Sequence, residues 1–328
     1  MSDRDLKLLS VVAPVYNEAA TINEFHRRVA DALGHLEFEL VLVDDGSTDG
    51  SAKAIADLAE TDPRVKVVFL SRNFGHQIAL TAGLEHASGD AIAMLDADLQ
   101  DPPELINQML DEWRRGSDVV YAVRAHRDGE SAFKLATARW FYKLFDWLTS
   151  VQLRHNSGDF RLFDRRALDA MLSMHEGSRF LRGMSVWVGY TQSAVSYNRD
   201  ARYAGETKFT LSKMLRFSLD AIFSFSGRPL QMATLLGFLI SALALVAIPV
   251  VVVLKIIGAY LPGFSTLEIS MLLLGGIQLI TIGIIGEYVG RIYDEVKGRP
   301  LYLVRDRINL APGPPDRPGE ENPELTAD

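Results

Sequence analysis

AIAMLDADLQDPPEL, residues 91–105, opens as a strand and closes in acid. AIAML is a short apolar run of the kind a sheet covers on both faces. It gives way to Asp96, Asp98 and Asp101, with Gln100 between them. Like charges this close repel, so a cation belongs among them. A D-x-D pair at a strand end offers oxygen ligands on alternate residues, which suits a hard divalent ion such as Mg²⁺ or Mn²⁺. Asp101 stands just before Pro102-Pro103, and an acid there suits the positive pole of the helix that follows.

The surrounding sequence repeats the pattern. LLSVVAP (8–14), FELVLVDD (38–45), VKVVFL (65–70) and SDVVYAV (117–123) are further apolar runs. Helical patterns separate them, among them AATINEFHRRVADAL (19–33), TDGSAKAIADLAE (48–60) and GHQIALTAGLEHA (75–87). Strands alternating with helices predict an α/β domain with a mostly parallel, Rossmann-like sheet and helices on both faces. Ligands bind beyond the carboxyl ends of such strands, and the polar clusters fall there. PVYNEAA follows the first run, DDGSTDG the second, SRNFGH the third and DADLQD the fourth.

The chain has 328 residues, 48% of them hydrophobic, and the apolar ones are unevenly spread. No charged residue occurs from Pro229 to Leu254, nor from Ile269 to Gly286. Each run is long enough to cross about 30 Å of hydrocarbon as a helix. Spans are predicted over 229–257 and 267–289. Arg199, Arg202, Lys208, Lys213, Arg216 and Arg228 precede the first, and Arg291, Lys297, Arg299, Arg305 and Arg307 follow the second. The connection GAYLPGFST (258–266) carries no charge. Positive flanks mark the cytoplasmic side, so both termini are expected in the cytoplasm, with one hairpin crossing outward and back. In TLSKMLRFSLDAIFSF (210–225), Leu211, Met214, Leu215, Leu219 and Ile222 recur at helical spacing, which predicts an amphipathic interfacial helix over 210–228. Residues 291–310 read as a cytoplasmic basic segment. The stretch 311–328, with five prolines and five acids against one arginine, reads as a disordered tail. There is no cysteine, which excludes disulfides and fits a reducing compartment. Gly275, Gly276, Gly283 and Gly286 give the second span small residues of the kind that pack against another copy, so a homo-oligomer is an expectation.

PVYNE (14–18), VDDGSTDG (43–50), DADLQDPPE (96–104) and NSGDFRLFDRRAL (156–168), in this order and spacing, resemble the family 2 glycosyltransferases of the GT-A fold. SRFLRGMSVWVGY (178–190), RYAGETKF (202–209) and the hairpin narrow the resemblance to bacterial polyprenyl-phosphate glycosyltransferases. These include undecaprenyl-phosphate glucosyltransferases and aminoarabinose transferases, with dolichol-phosphate mannose synthases as more distant cousins. The resemblance covers roughly residues 8–305 and implies a catalytic domain over 1–209.

It also implies roles. Asp98 would ligate the metal, with Asp96 between ribose and metal and Gln100 beside them. Asp45 would accept the N3–H of uracil, and Pro14, Tyr16, Glu18 and Arg72 would line the nucleotide edge, with Asn73 close by. Ser47, Thr48 and Asp49 read instead as turn and cap residues. Asp159 takes the catalytic place. A phosphate acceptor, with a second pKa of about 6, is already largely ionised at neutral pH, so orientation of the acceptor or sugar is the favoured role over proton removal. A structural pair with Arg161 or Arg165 is the alternative. Arg124, Lys134, Arg202 and Lys208 would meet the acceptor phosphate.

The expected reaction is inverting transfer of a sugar, UDP-glucose first among donors, to undecaprenyl phosphate in the bacterial inner membrane. GlcNAc, GalNAc, aminoarabinose and mannose donors stand behind glucose. No nucleic acid is among the expected partners. A processive polysaccharide synthase would need a Q-x-x-R-W motif and more spans. A silent lipid-binding scaffold would not need Asp96, Asp98 and Asp159.

Overall fold

The computed structural model describes residues 4–124, 157–197, 227–258 and 263–310. They form two compact units, a sheet domain that takes in the segment from Pro300, and a pair of long apolar helices.

The sheet domain begins with alternating elements: β1 (Leu9–Val15), α1 (Ile22–Leu33), β2 (Phe38–Asp44), α2 (Ser51–Thr61), β3 (Val65–Leu70), α3 (His76–His86), β4 (Ala91–Met94) and α4 (Leu105–Arg114). β5 (Val119–Arg124), β6 (Ser157–Asp164), α5 (Arg165–Leu172), α6 (Leu181–Trp187) and β7 (Gln192–Tyr197) follow, and β8 (Val304–Ile308) comes after the apolar helices. The eight strands lie in the order β7-β5-β6-β4-β1-β2-β3-β8. β3, β2, β1 and β4 run parallel, and β5 runs parallel to β7. β6 runs antiparallel to β4 and β5, and β8 antiparallel to β3. The mostly parallel sheet agrees with the sequence reading.

Burial explains the choice of residues. β2 is buried at every position, as a strand covered on both faces requires. α1 buries Ile22, Phe25, Val29 and Leu33, spaced to fall on one helical face. Together with Ile55 of α2 and Leu105, Ile106, Met109 and Trp113 of α4, they cover one side of the sheet. α3 packs Ala79 and Ala82 on Val43, Val68 and Leu70 on the other side. Gly83 permits that approach, since a Cβ there would stand 2.4 Å from Val12 Cγ1.

Two features differ from the expectations. β8 lies within the segment read as merely basic, and it extends the sheet beyond β3. Asp101 does not cap a helix: α4 starts only at Leu105 without a side-chain cap, and the buried Asp101 carboxylate accepts the Tyr197 hydroxyl. Pro102 and Pro103 begin a turn, closed by the Leu105 amide on the Pro102 carbonyl at 3.1 Å, and the helix follows it.

The apolar helices are α7 (Arg228–Ile256) and α8 (Phe264–Val296). Both are long and apolar enough to cross a membrane. α8 continues past its uncharged stretch through Glu287, Arg291 and Asp294. The interfacial helix expected over 210–228, apart from its last two residues, and the tail over 311–328 lie outside the described residues.

Candidate active site

Three loops meet at the carboxyl edge of β1, β2 and β3. Asn17, at φ 57°, turns the first loop toward the second. Its side chain accepts the Thr48 amide at 2.8 Å, and its own amide donates to Ser47 Oγ at 3.1 Å. Asp49 accepts the Ser51 amide at 2.9 Å at the start of α2 and the Ala19 amide at 3.3 Å. Ser47, Thr48 and Asp49 therefore do the turn work expected of them, while the N-cap of α2 is Gly50, with no side-chain cap bond. Tyr16 leaves 43% of its surface exposed at this edge. Gly46, at φ 68°, lies against the third loop, where a Cβ would stand 2.7 Å from Arg72 C and Asn73 N.

Asp45 is almost fully buried. Its two oxygens accept the backbone amides of Phe74, at 2.7 Å, and Gly75, at 3.0 Å. Burial pushes its pKa up, against those hydrogen bonds. The carboxylate thus holds the third loop in place. The Arg72 guanidinium stacks over the Phe74 ring at 4.0 Å.

β4 delivers the acids. Leu99 takes φ 61° between Asp98 and Gln100, and the Gln100 amide donates to Asp98 Oδ1 at 3.1 Å. The loop therefore turns sharply and keeps Asp96 and Asp98 near the strand end. Antiparallel β6 supplies the rest. Met94 pairs with Arg161, so the same register two residues further sets Asp159 beside Asp96. Far apart in sequence, the two carboxylates share one imidazole: His76 Nε2 lies 3.5 Å from Asp96 Oδ1 and 3.4 Å from Asp159 Oδ2.

Asp159 is 9% exposed and held from several sides. Arg182, on α6, donates Nε to Oδ1 at 2.6 Å and an Nη to Oδ2 at 3.0 Å. Gln77 Nε2 reaches Oδ2 at 3.4 Å, and Gln77 Oε1 accepts the Leu181 amide at 3.0 Å. The partner is thus Arg182 and not Arg165, which donates to the carbonyls of Ala87 and Gly89. Burial alone would raise the Asp159 pKa, but the Arg182 charge and the His76 and Arg182 hydrogen bonds hold it well below the usual carboxylate range. Burial works against the charge on His76 too, yet its Asp159 bond and the charges of Asp96 and Asp159 raise it to about 9. The imidazolium stands at the start of α3, where a cation meets the positive end of the helix dipole. The two carboxylates offset that cost.

Asp96 is pushed up to about 6, first by burial and further by Asp159, Asp98 and Asp101, with His76 opposing. Its Oδ1 is buried and without a hydrogen bond. Asp96, Asp98, Asp101 and Asp159 face His76 and Arg182, four acids to two cations, a field that favours more positive charge. Among the described residues no three His, Cys, Asp or Glu side chains form a complete metal cage. The residues fit a cation held by two carboxylates on one side and by a diphosphate on the other.

The structure thus brings Asp96, Asp98, Gln100 and Asp159 to one edge, with Pro14 near the end of β1 and the loops carrying Tyr16, Glu18, Asp45 and Arg72. Arg124 ends β5, which runs toward the same edge. Lys134, Arg202 and Lys208 lie outside the described residues. His76, Gln77 and Arg182 join the site without having been assigned to it from the sequence. The signal is partial: SRNFGH follows a strand at the cleft edge and SRFLRG lies in a family stretch, but nothing in their spacing ties either to Asp159.

A mostly parallel sheet with a D-x-D at one strand end and an ion-paired aspartate beside it is the architecture of a GT-A glycosyltransferase. The glycosyl transferase family 2 profile matches residues 10–172, and relatives match most of the chain, which belongs to that family. The uncharacterized glycosyltransferase YkcC of Bacillus subtilis is 47% identical over 304 residues, 92% of this chain and 94% of its own. The bactoprenol glucosyl transferase of Shigella phage SfII is 40% identical over 300 residues, 90% of this chain and 97% of its own. Among solved structures, glucosyl-3-phosphoglycerate synthase from Mycobacterium tuberculosis is similar at 22% identity, covering 66% of this chain and 76% of that one, with a TM-score of 0.45.

Proposed function

We propose that the enzyme transfers glucose from UDP-glucose to undecaprenyl phosphate. The observation that carries this is the pairing of the Asp96–His76–Asp159–Arg182 cluster with near full-length similarity to a bactoprenol glucosyl transferase. A phosphate oxygen of the lipid attacks the anomeric carbon, the bond to the diphosphate oxygen breaks, and configuration inverts. Asp96 and Asp98, with Gln100, would hold a divalent cation, Mg²⁺ or Mn²⁺, which when bound neutralises the leaving diphosphate.

Asp159 orients and does not abstract a proton. A carboxylate gripped by a guanidinium and an imidazolium is a weak base, and a phosphate with a second pKa of about 6 needs none. Asp45, Pro14, Tyr16, Glu18 and Arg72 form the donor side. Arg124, Lys134, Arg202 and Lys208 serve the acceptor phosphate, since charge-assisted bonds to phosphate are stronger than neutral ones. The positive flanks of the two apolar helices support a bacterial inner-membrane protein with its catalytic domain and both termini in the cytoplasm, the compartment in which nucleotide sugars are made.

The test is a panel of nucleotide sugars offered to the full chain in membranes, with and without undecaprenyl phosphate. UDP-glucose should give lipid-linked glucose and UDP fastest. Faster turnover with another sugar would reassign the donor, and lipid-independent release of UDP from every donor would overturn the acceptor.

A further inference from the structure

We propose that β8, the strand that follows the apolar helices, is a positioning element for the donor nucleotide. It acts through the loop at residues 71–75 and rests on the donor reading above.

The contacts of β8 concentrate at that loop. Leu303 accepts the Ser71 amide at 2.9 Å, directly beyond the last β3 residue. Val304 pairs with Leu70 and Asp306 with Phe69, so Arg305 is the extra residue of a bulge, its guanidinium 5.4 Å from the Phe69 ring. A bulge bends and twists its strand, and this one faces the last two residues of β3. Tyr302, Val304 and Leu310 pack on the same buried group as Phe74, made of Val43, Val68, Leu70, Ala79 and Ala82. Phe74 and Gly75 are the residues whose amides hold Asp45. A backbone bond at Ser71 and a shared apolar seat at Phe74 thus bracket the loop at residues 71–75 from the β8 side.

The rest of the segment is anchored away from the loop. Asn309 Nδ2 donates to the carbonyls of Ala59 and Val65 at 2.8 and 2.9 Å. Arg307 Nε bonds His86 Nε2 at 3.2 Å, and the Tyr302 hydroxyl donates to Glu85. β8 is therefore fixed at its far end to α2 and β3 and along its length to α3, which makes it a firm backing for a loop that has one. Without it the β3 edge would present unpaired amides, and the Asp45 latch would be held from one side only. Since Asp45, Gly46 and the loop at 71–75 interlock, loosening the loop loosens the donor side, while Asp159 keeps its two-point grip by Arg182 on α6.

The test uses the full chain in lipid nanodiscs, with UDP as the probe. A version ending at Leu310 should bind UDP like the wild type. The double variant Tyr302→Ala/Val304→Ser should bind UDP about fivefold more weakly, in line with typical coupling between neighbouring elements. Its KM for the nucleotide sugar should rise in step, with kcat and the KM for polyprenyl phosphate unchanged. In the wild type, UDP should slow hydrogen exchange at the amides of residues 304–308, because coupling between two sites is reciprocal. The exchange measurement decides the matter even if the double variant does not fold. Unchanged UDP affinity in a folded variant, or exchange at β8 indifferent to UDP, overturns the positioning role. Failure of the wild type to bind UDP overturns the donor reading, and this inference with it.

Discussion

At the scale of single residues the site is a balance of charge. Asp98→Asn removes an anion without changing size and should cost about two orders of magnitude or more in turnover. EDTA should do the same to the wild type, with recovery on adding Mg²⁺ or Mn²⁺; full activity in EDTA would remove the cation from the account. Asp159 invites a different experiment. Its depressed pKa means the carboxylate stabilises the fold above its unfolded value of about 3.9, and that contribution fades only as pH falls below it. Across neutral pH it stays ionised, so Asp159 should contribute no limb to the wild-type kcat profile; the carboxylate raised into that range is Asp96. Asp159→Asn should keep a measurable rate, roughly 10–100-fold down, less than many obligatory bases lose. A bell-shaped profile that vanishes in the variant would restore proton removal as its role. Arg182→Ala strands a buried carboxylate, a change that costs about 3–5 kcal/mol when both partners are buried. Arg182 keeps 32% of its side chain exposed, which sets the expected loss of stability at the low end of that range, readable by denaturant unfolding.

At the scale of elements, the three loops proposed as the donor side hold together as one unit because backbone and side chains cross between them. Gly46 is the tightest point. Gly46→Ala would force a Cβ onto the Arg72–Asn73 backbone in a left-handed conformation, at about 1–2 kcal/mol for the dihedral alone. Donor affinity should fall several-fold while acceptor KM stays put; equal loss in both would mean general unfolding. Which elements could be read in advance follows from their physics. β1 to β4 are buried apolar runs flanked by turn residues, so composition reveals them. β8 reads VRDRI, charged at three of five positions, because an edge strand needs little apolar surface. The same limit applies to the site. Asp96 and Asp98 announce themselves as acids at a strand end, and Asp159 comes through the resemblance of NSGDFRLFDRR. His76 and Arg182 give no such sign, since each meets Asp159 only through the fold, from 83 and 23 positions away in the chain.

At the scale of the whole molecule, two units share one chain that leaves the sheet domain and comes back. That return changes what truncation means. Stopping the chain at Gly227 removes the apolar helices and β8 together, so UDP binding and lipid-dependent turnover should both fall. Replacing residues 228–298 by a flexible linker should keep β8 and UDP binding, and lose only turnover with long-chain polyprenyl phosphate in membranes. Calorimetry with UDP and a lipid-transfer assay on the two proteins separate these outcomes. Equal UDP affinity in both would show that the donor side is complete without the returning strand.

The return also sets an order of events during synthesis. Leu70 and Val304 are sheet neighbours yet 234 positions apart in the chain. At about 5–20 residues per second a ribosome needs roughly 10–50 s to travel from one to the other. For that interval a nascent catalytic domain carries an open β3 edge, a surface that invites pairing with other chains. The strand that closes it is translated only after both apolar helices. A nascent chain stalled before that point would hold its acids and its aspartate but lack the last brace beside the loop at 71–75, so full affinity for nucleotide would arrive only once both apolar helices have been made.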